Sequence, residues 1–244
     1  MQFLRNHPFA VEAHFENSLV LTFAVPKEQI EPLIPECLQL DTFDDEWAFI
    51  AIAMVQTKHL RPKGFPKFMG NDFFLIGYRI FVRYVTSQGK RLRGLYIIKS
   101  ETNKRKMQFF GNMFTHYNYT TTDISQSLDQ GAKTIRSEKS GFRLEVDTTE
   151  GEVNLPVGSP FSEWKEARRF AGPLPYTFTV DTEEKSVVII QGVRSDWKPS
   201  PVKVNSYKFD FLDGLNLEGV VLANAFEIRD IPYCWKKGRL DVWG

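Results

Sequence analysis

The chain's 244 residues carry 31 Lys and Arg against 30 Asp and Glu, a formal charge of +1 at pH 7, and are 42% hydrophobic and 14% aromatic. So even a balance excludes the clustered positive field that nucleic acids and anionic membranes select, and neither is expected as a partner. The apolar content excludes disorder and suffices for a large core.

Met1 to Ala13 carries Arg5, His7, Pro8 and Glu12 without the unbroken apolar stretch of a secretory signal. No window reaches the roughly 18 uncharged apolar residues of a membrane span, so a cytoplasmic protein is expected. Cys37 and Cys234 then read as reduced thiols, with a single bridge between them formally open. Pro26 to Leu33 reads as a short helix, proline at its first position and Pro35 just beyond its end. Asp44-Asp45-Glu46 reads as a hairpin turn ahead of Trp47 to Val55, a strand apolar on both faces. Phe73 to Val85, the longest expected strand, turns through Ser87-Gln88-Gly89-Lys90 into Arg93 to Lys99. Lys104 to Phe114 reads as a helix capped by Asn103, with Met107, Phe110, Met113 and Phe114 on its apolar face. After a strand at Phe142 to Asp147, Ser159-Pro160 opens a helix over Phe161 to Phe170 that ends before Gly172-Pro173. Further strands are expected at Tyr176 to Val180, Val187 to Val193, Val202 to Phe211 and Val220 to Ile228. Many strands and few, short helices predict one mainly β, barrel-like domain over residues 1–244. A homo-oligomer paired at a sheet edge is compatible with this pattern.

No G-x-G-x-x-G, Walker-type loop, G-x-S-x-G or H-E-x-x-H occurs, so no cofactor is expected from sequence. His7, His14, His59 and His116 lack i/i+4 pairing and a neighbouring Cys-x-x-Cys, so no metal is expected either.

Four segments in order carry a resemblance: Leu33-Ile34-Pro35 with Leu38-Gln39-Leu40-Asp41, then Tyr78-Arg79-Ile80-Phe81-Val82, then Gly94-Leu95-Tyr96-Ile97-Ile98, then Ser195-Asp196-Trp197-Lys198-Pro199. Together they resemble the uncharacterised DUF2071 (YqjF-like) family, which is similar in fold to acetoacetate decarboxylase. The resemblance implies a closed or nearly closed β-barrel with a small-molecule cavity. In the decarboxylase, a lysine depressed in pKa by a second lysine forms a Schiff base with a keto acid. With Gly111 as the counterpart of the glycine opening that segment, the lysine pair falls near Thr115, His116 and Tyr117, where no lysine stands. Leu75 occupies the central-strand position where the resemblance implies a glutamate.

Alternation places Phe73, Leu75, Gly77, Arg79, Phe81 and Arg83 on one strand face, and Phe74, Ile76, Tyr78, Ile80, Val82 and Tyr84 on the other. The second is core. If the first lines the barrel, Arg79 is a guanidinium fork for a carboxylate or phosphate; if it faces outward, Arg79 is a solvated cation. His116 and Tyr117, at the position the decarboxylase gives its nucleophile, read either as proton-handling groups or as side chains satisfied at a helix end. Tyr96 reads as a hydroxyl in the same cavity or a core tyrosine, and Trp197 as a lid on its mouth or a plug. The expected function is binding or transformation of a small acidic, partly hydrophobic compound. A non-catalytic carrier or sensor is the alternative, and a keto-acid decarboxylase using Lys99, Lys104 or Lys106 is a second.

Overall fold

The computed structural model describes residues 2–149, 151–195 and 197–243. Its principal strands are β1 (Val11–Pro26), β2 (Trp47–Pro62), β3 (Asn71–Val85), β4 (Arg91–Thr102), β5 (Ser125–Asp129), β6 (Ala132–Ser137), β7 (Phe142–Asp147), β8 (Tyr176–Asp181), β9 (Ser186–Arg194), β10 (Lys203–Phe209), β11 (Val221–Trp235) and β12 (Arg239–Val242). In the larger sheet the pairing runs β11, β1, β2, β3, β4, β8, β9. Strand β9 then returns to β11 through Gly192, Val193 and Arg194 against Trp235, Cys234 and Tyr233, so seven strands form a closed ring of pairings. All neighbours are antiparallel except β4 and β8, parallel over Gly94–Tyr96 and Tyr176–Phe178. The mainly β expectation with few, short helices is met.

The expected core face of β3 is core. Ile76, Tyr78, Ile80 and Val82 pack with Leu21, Phe23, Ile50 and Ile52 against a second sheet of order β10-β7-β6-β5, which contributes Ile135, Phe142, Leu144 and Phe209. The main hydrophobic core therefore lies outside the ring, between two sheets, and the ring interior is free for something else.

Several boundaries differ from the sequence expectation. Strand β1 has a polar first half whose alternation is broken by register shifts at Glu12/His14 and Phe15/Asn17, and such bulges hide a strand from period-two counting. The strand expected over Val202 to Phe211 stops at Phe209 and becomes a helical turn, Asp210–Asp213. Two helices matter for the site: α1 (Arg105–Phe114) and α2 (Trp164–Ala171). Asn103 does not cap α1; its Oδ1 accepts the backbone N–H of Phe74 at 2.8 Å and ties the helix start to β3. Helix α2 begins three residues later than expected. Ser159 Oγ donates to the Ala223 carbonyl, while the Glu166 carboxylate accepts from Ser162 N–H and Oγ at 2.8 and 2.9 Å.

Candidate functional site

The ring's inner face surrounds a cavity of about 220 Å³, below the roughly 300–1,000 Å³ of drug-sized pockets and therefore matched to a small compound. Small side chains create the hollow. Ala53 and Ala51 on β2 stand opposite Gly77 and Arg79 on β3, and Val55, Phe73, Leu75 and Phe81 complete that wall. Phe226, Ile228 and Ile231 of β11 and Met107, Phe110 and Phe114 of α1 supply more apolar surface. Helix α1 comes close because Gly111 lies directly against the Tyr119 ring, where no Cβ would fit.

Arg79 faces this cavity, which decides between its two readings. Its side chain is half-buried, and its Nε has neither solvent contact nor a hydrogen-bond partner. Burial pulls its pKa down, opposed by the neighbouring Tyr233, Tyr119 and Tyr117; a guanidinium nevertheless stays charged. Among the described residues no Asp, Glu or Lys lines the cavity. Leu75, where the resemblance implies a glutamate, is one of the wall's apolar residues. The guanidinium lies back over Gly77: a Cβ there would sit 2.9 Å from Nε and 3.1 Å from Nη2. Gly77→Ala is expected to fold, because the atoms it displaces end a flexible side chain. Forcing Arg79 off its rotamer should cost the folded state about 0.5–1.5 kcal/mol, a melting temperature lower by roughly 1–6 °C, and the re-aimed guanidinium should bind carboxylates more weakly by calorimetry.

Tyr117 lines the cavity beside Thr177 and Tyr119. Burial pushes both phenols up, with Arg79 opposing, so each is a neutral hydrogen-bond donor and neither is a base. His116 is not in the cavity wall. Backbone at Thr115 is extended, so alternate residues Thr115 and Tyr117 point in and His116 points away, its Nε2 3.0 Å from Asn6 Oδ1. Tyr96 is also corrected. Tyr96 pairs with Ile80 of the core face and packs into the core between the sheets, while Leu95 and Ile97 face the cavity; a bulge at Ile98, between the pairs Arg79–Ile97 and Tyr78–Lys99, then turns Ser100 inward. Trp197 does not touch the cavity either. It packs on Phe226, Ile228 and Ile231, and its ring lies 5.1 Å from Arg194 Cζ, one layer behind the wall. Asp196 lies outside the described residues. The three candidate lysines are elsewhere: Lys99 Nζ is 3.2 Å from Glu101 and over the Phe211 ring, and Lys104 and Lys106 are exposed.

Four ionisable cavity groups escaped sequence reasoning: His7, Tyr119, Arg194 and Tyr233. Tyr233 lies past the expected end of its strand, because Asp230, at φ 53°, shifts the inward alternation from Phe226 and Ile228 to Ile231, Tyr233 and Trp235. The paired aromatics of Tyr233-x-Trp235 were the available signal. His7 is buried in the wall with Nδ1 unpartnered, and its segment is pinned by His7 N–H to the Phe114 carbonyl at 3.0 Å and Gly238 N–H to the His7 carbonyl at 2.8 Å.

Burial lowers the pKa of both His7 and His116; Arg5 adds to the effect at His116. A histidine depressed below its unfolded value of 6.5 leaves stability intact above that pH and removes it as pH falls through the folded value, since the unfolded chain takes up the proton first. Melting temperature is therefore expected to fall from pH 6.5 towards 5, before carboxylates titrate. A His7→Asn/His116→Asn double variant should flatten that limb.

No curated protein matches the sequence. Among solved structures, an acetoacetate decarboxylase from Legionella pneumophila superposes with a TM-score of 0.62 at 8% identity, covering 96% of this chain and 87% of that one. The enduracididine biosynthesis enzyme MppR gives 0.59 at 11%, covering 96% and 88%. An acetoacetate decarboxylase-like enzyme from Sphingomonas wittichii gives 0.55 at 12%, covering 99% and 94%. At these identities the likeness is one of fold. Residues 12–227 match the family DUF2071, described as an uncharacterized conserved protein.

Proposed function

This chain belongs to the DUF2071 family, and we propose that its cavity binds a small compound with an anionic group and an apolar remainder. The observation that carries the reading is Arg79: a charged fork on the wall of an apolar cavity, its Nε buried without a partner and no acidic side chain among the described wall residues. Charges are seldom buried unpaired, because the lost hydration must be replaced. An incoming carboxylate replaces it through the Nη atoms, while the neutral phenols of Tyr117, Tyr119 and Tyr233 supply further donors. MppR, similar in fold, has been solved with pyruvate, a small carboxylate of the class proposed here.

The sequence's catalytic pair does not survive as a pair, since only Tyr117 reaches the cavity. A reactive reading rests instead on His7, whose neutral imidazole can accept a proton from a ligand held by Arg79, with Tyr117 donating to a developing oxyanion. Schiff-base chemistry draws no support, as none of the described wall residues is a lysine. The test is a thermal-shift series of short carboxylates against their uncharged amides. Carboxylates are expected to raise the melting temperature and amides of equal size are not. Equal stabilisation by both would favour an apolar carrier.

A further inference from the structure

Arg194 is a second guanidinium on the same cavity wall, and its Nε is also buried without a partner. It stands on β9, three strands from β3 in one direction and four in the other, which is as far apart as a ring of seven allows. Neither side chain reaches across freely. Arg79 is laid back over Gly77, whereas Arg194 donates through Nη2 to the Pro173 carbonyl and lies over the Trp197 ring. A single carboxylate on one guanidinium therefore leaves the other without a counter-charge, and no acidic side chain among the described wall residues supplies one. The rest of the wall is mostly apolar, with Leu95, Ile97 and Phe226 among it, and its polar groups near the two guanidiniums are the uncharged hydroxyls of Thr177 and Tyr233.

We propose that the natural ligand is a small dianion, an apolar spacer with an acidic group at each end, one held by Arg79 and the other by Arg194. This deepens the reading of the cavity as an anion site and rests on it. It makes Arg194 a specificity-determining residue: Arg79 recognises an acid, and Arg194 selects the two-headed one. Ligand length is then set by the width of the ring.

The test is calorimetry of the full chain with hexanoate and with the dicarboxylates from succinate to suberate. One dicarboxylate is expected to bind at least tenfold more tightly than hexanoate, with a clear optimum in chain length. Arg194→Gln should erase that advantage while leaving hexanoate binding within about twofold, and Arg79→Gln should abolish both. Arg194→Lys, which keeps the charge without the planar hold on Pro173 and Trp197, guards against a folding defect and should retain part of the preference. Equal binding of mono- and dicarboxylates, or an Arg194→Gln loss equal for both, overturns the dianion and leaves the Arg79 site standing. Indifference of hexanoate binding to Arg79→Gln, or no carboxylate binding at all, overturns the underlying reading as well.

Discussion

Arg79→Met is expected to melt at a higher temperature than the wild-type protein and to lose its carboxylate affinity. Methionine fills a similar shape without a charge, and replacing buried ionic groups by apolar ones of like volume is often stabilising by about 1–4 kcal/mol. Arg79 is half-buried on the cavity wall, so the lower half of that range applies. For a chain of this length it corresponds to a rise of roughly 2–10 °C. Binding should move the opposite way, since truncating one partner of a desolvated charge pair costs about 2–5 kcal/mol, a loss of roughly 30-fold or more. The opposed signs are diagnostic. A guanidinium that served the fold would lower both stability and affinity when removed, and a solvated one would change neither.

The second large effect is at Asp41. Its side chain is fully buried and accepts from Arg83 Nε at 2.7 Å and from Arg93 Nε, while its backbone N–H donates to the Phe81 carbonyl. Arg93 in turn donates to the Phe170 carbonyl at 2.7 Å and lies 4.4 Å from the centre of the Phe170 ring. This network fastens the end of α2, and with it the wall residues Ala171 to Leu174, to β3 and β4. Removing one partner of a buried pair costs about 3–5 kcal/mol. Both arginines here keep solvent access, which reduces the figure to about 2–3 kcal/mol. Asp41→Ala should therefore melt about 4–12 °C lower and bind carboxylates more weakly, because the wall it braces loosens. Asp41→Asn, which keeps the shape and one acceptor, should recover part of the melting temperature.

The Leu38–Asp41 segment that carried the family resemblance thus owes its place to a structural job, and the site had to be found elsewhere. Alternation along β3 established that Leu75, Gly77, Arg79 and Phe81 share a face, because side chains in a strand have period two. It could not say which face is enclosed; that depends on a second sheet, Phe142 to Asp147 with Lys203 to Phe209, covering the opposite side. Wherever the chain departs from strict alternation, counting fails by one residue and reverses the side chain. The shift at Asp230 does so for Ile231 and Tyr233, which follow Phe226 and Ile228 inward; Tyr96, paired with Ile80 in unbroken register from the hairpin turn, lies on the core face instead. His116 failed for the simplest reason: it adjoins an inward residue in extended backbone, so it faces outward. Arg194 was missed because an isolated arginine at a strand end carries no signal until ring closure places it over the cavity.

A crystal structure of the protein grown with saturating glutarate tests the Arg79 site most directly. A carboxylate within hydrogen-bonding distance of the Arg79 Nη atoms, its carbon chain running through the cavity between Ile97 and Phe226, is the predicted result. Glutarate bound with no contact to Arg79, or a guanidinium turned out of the cavity into solvent, would contradict it.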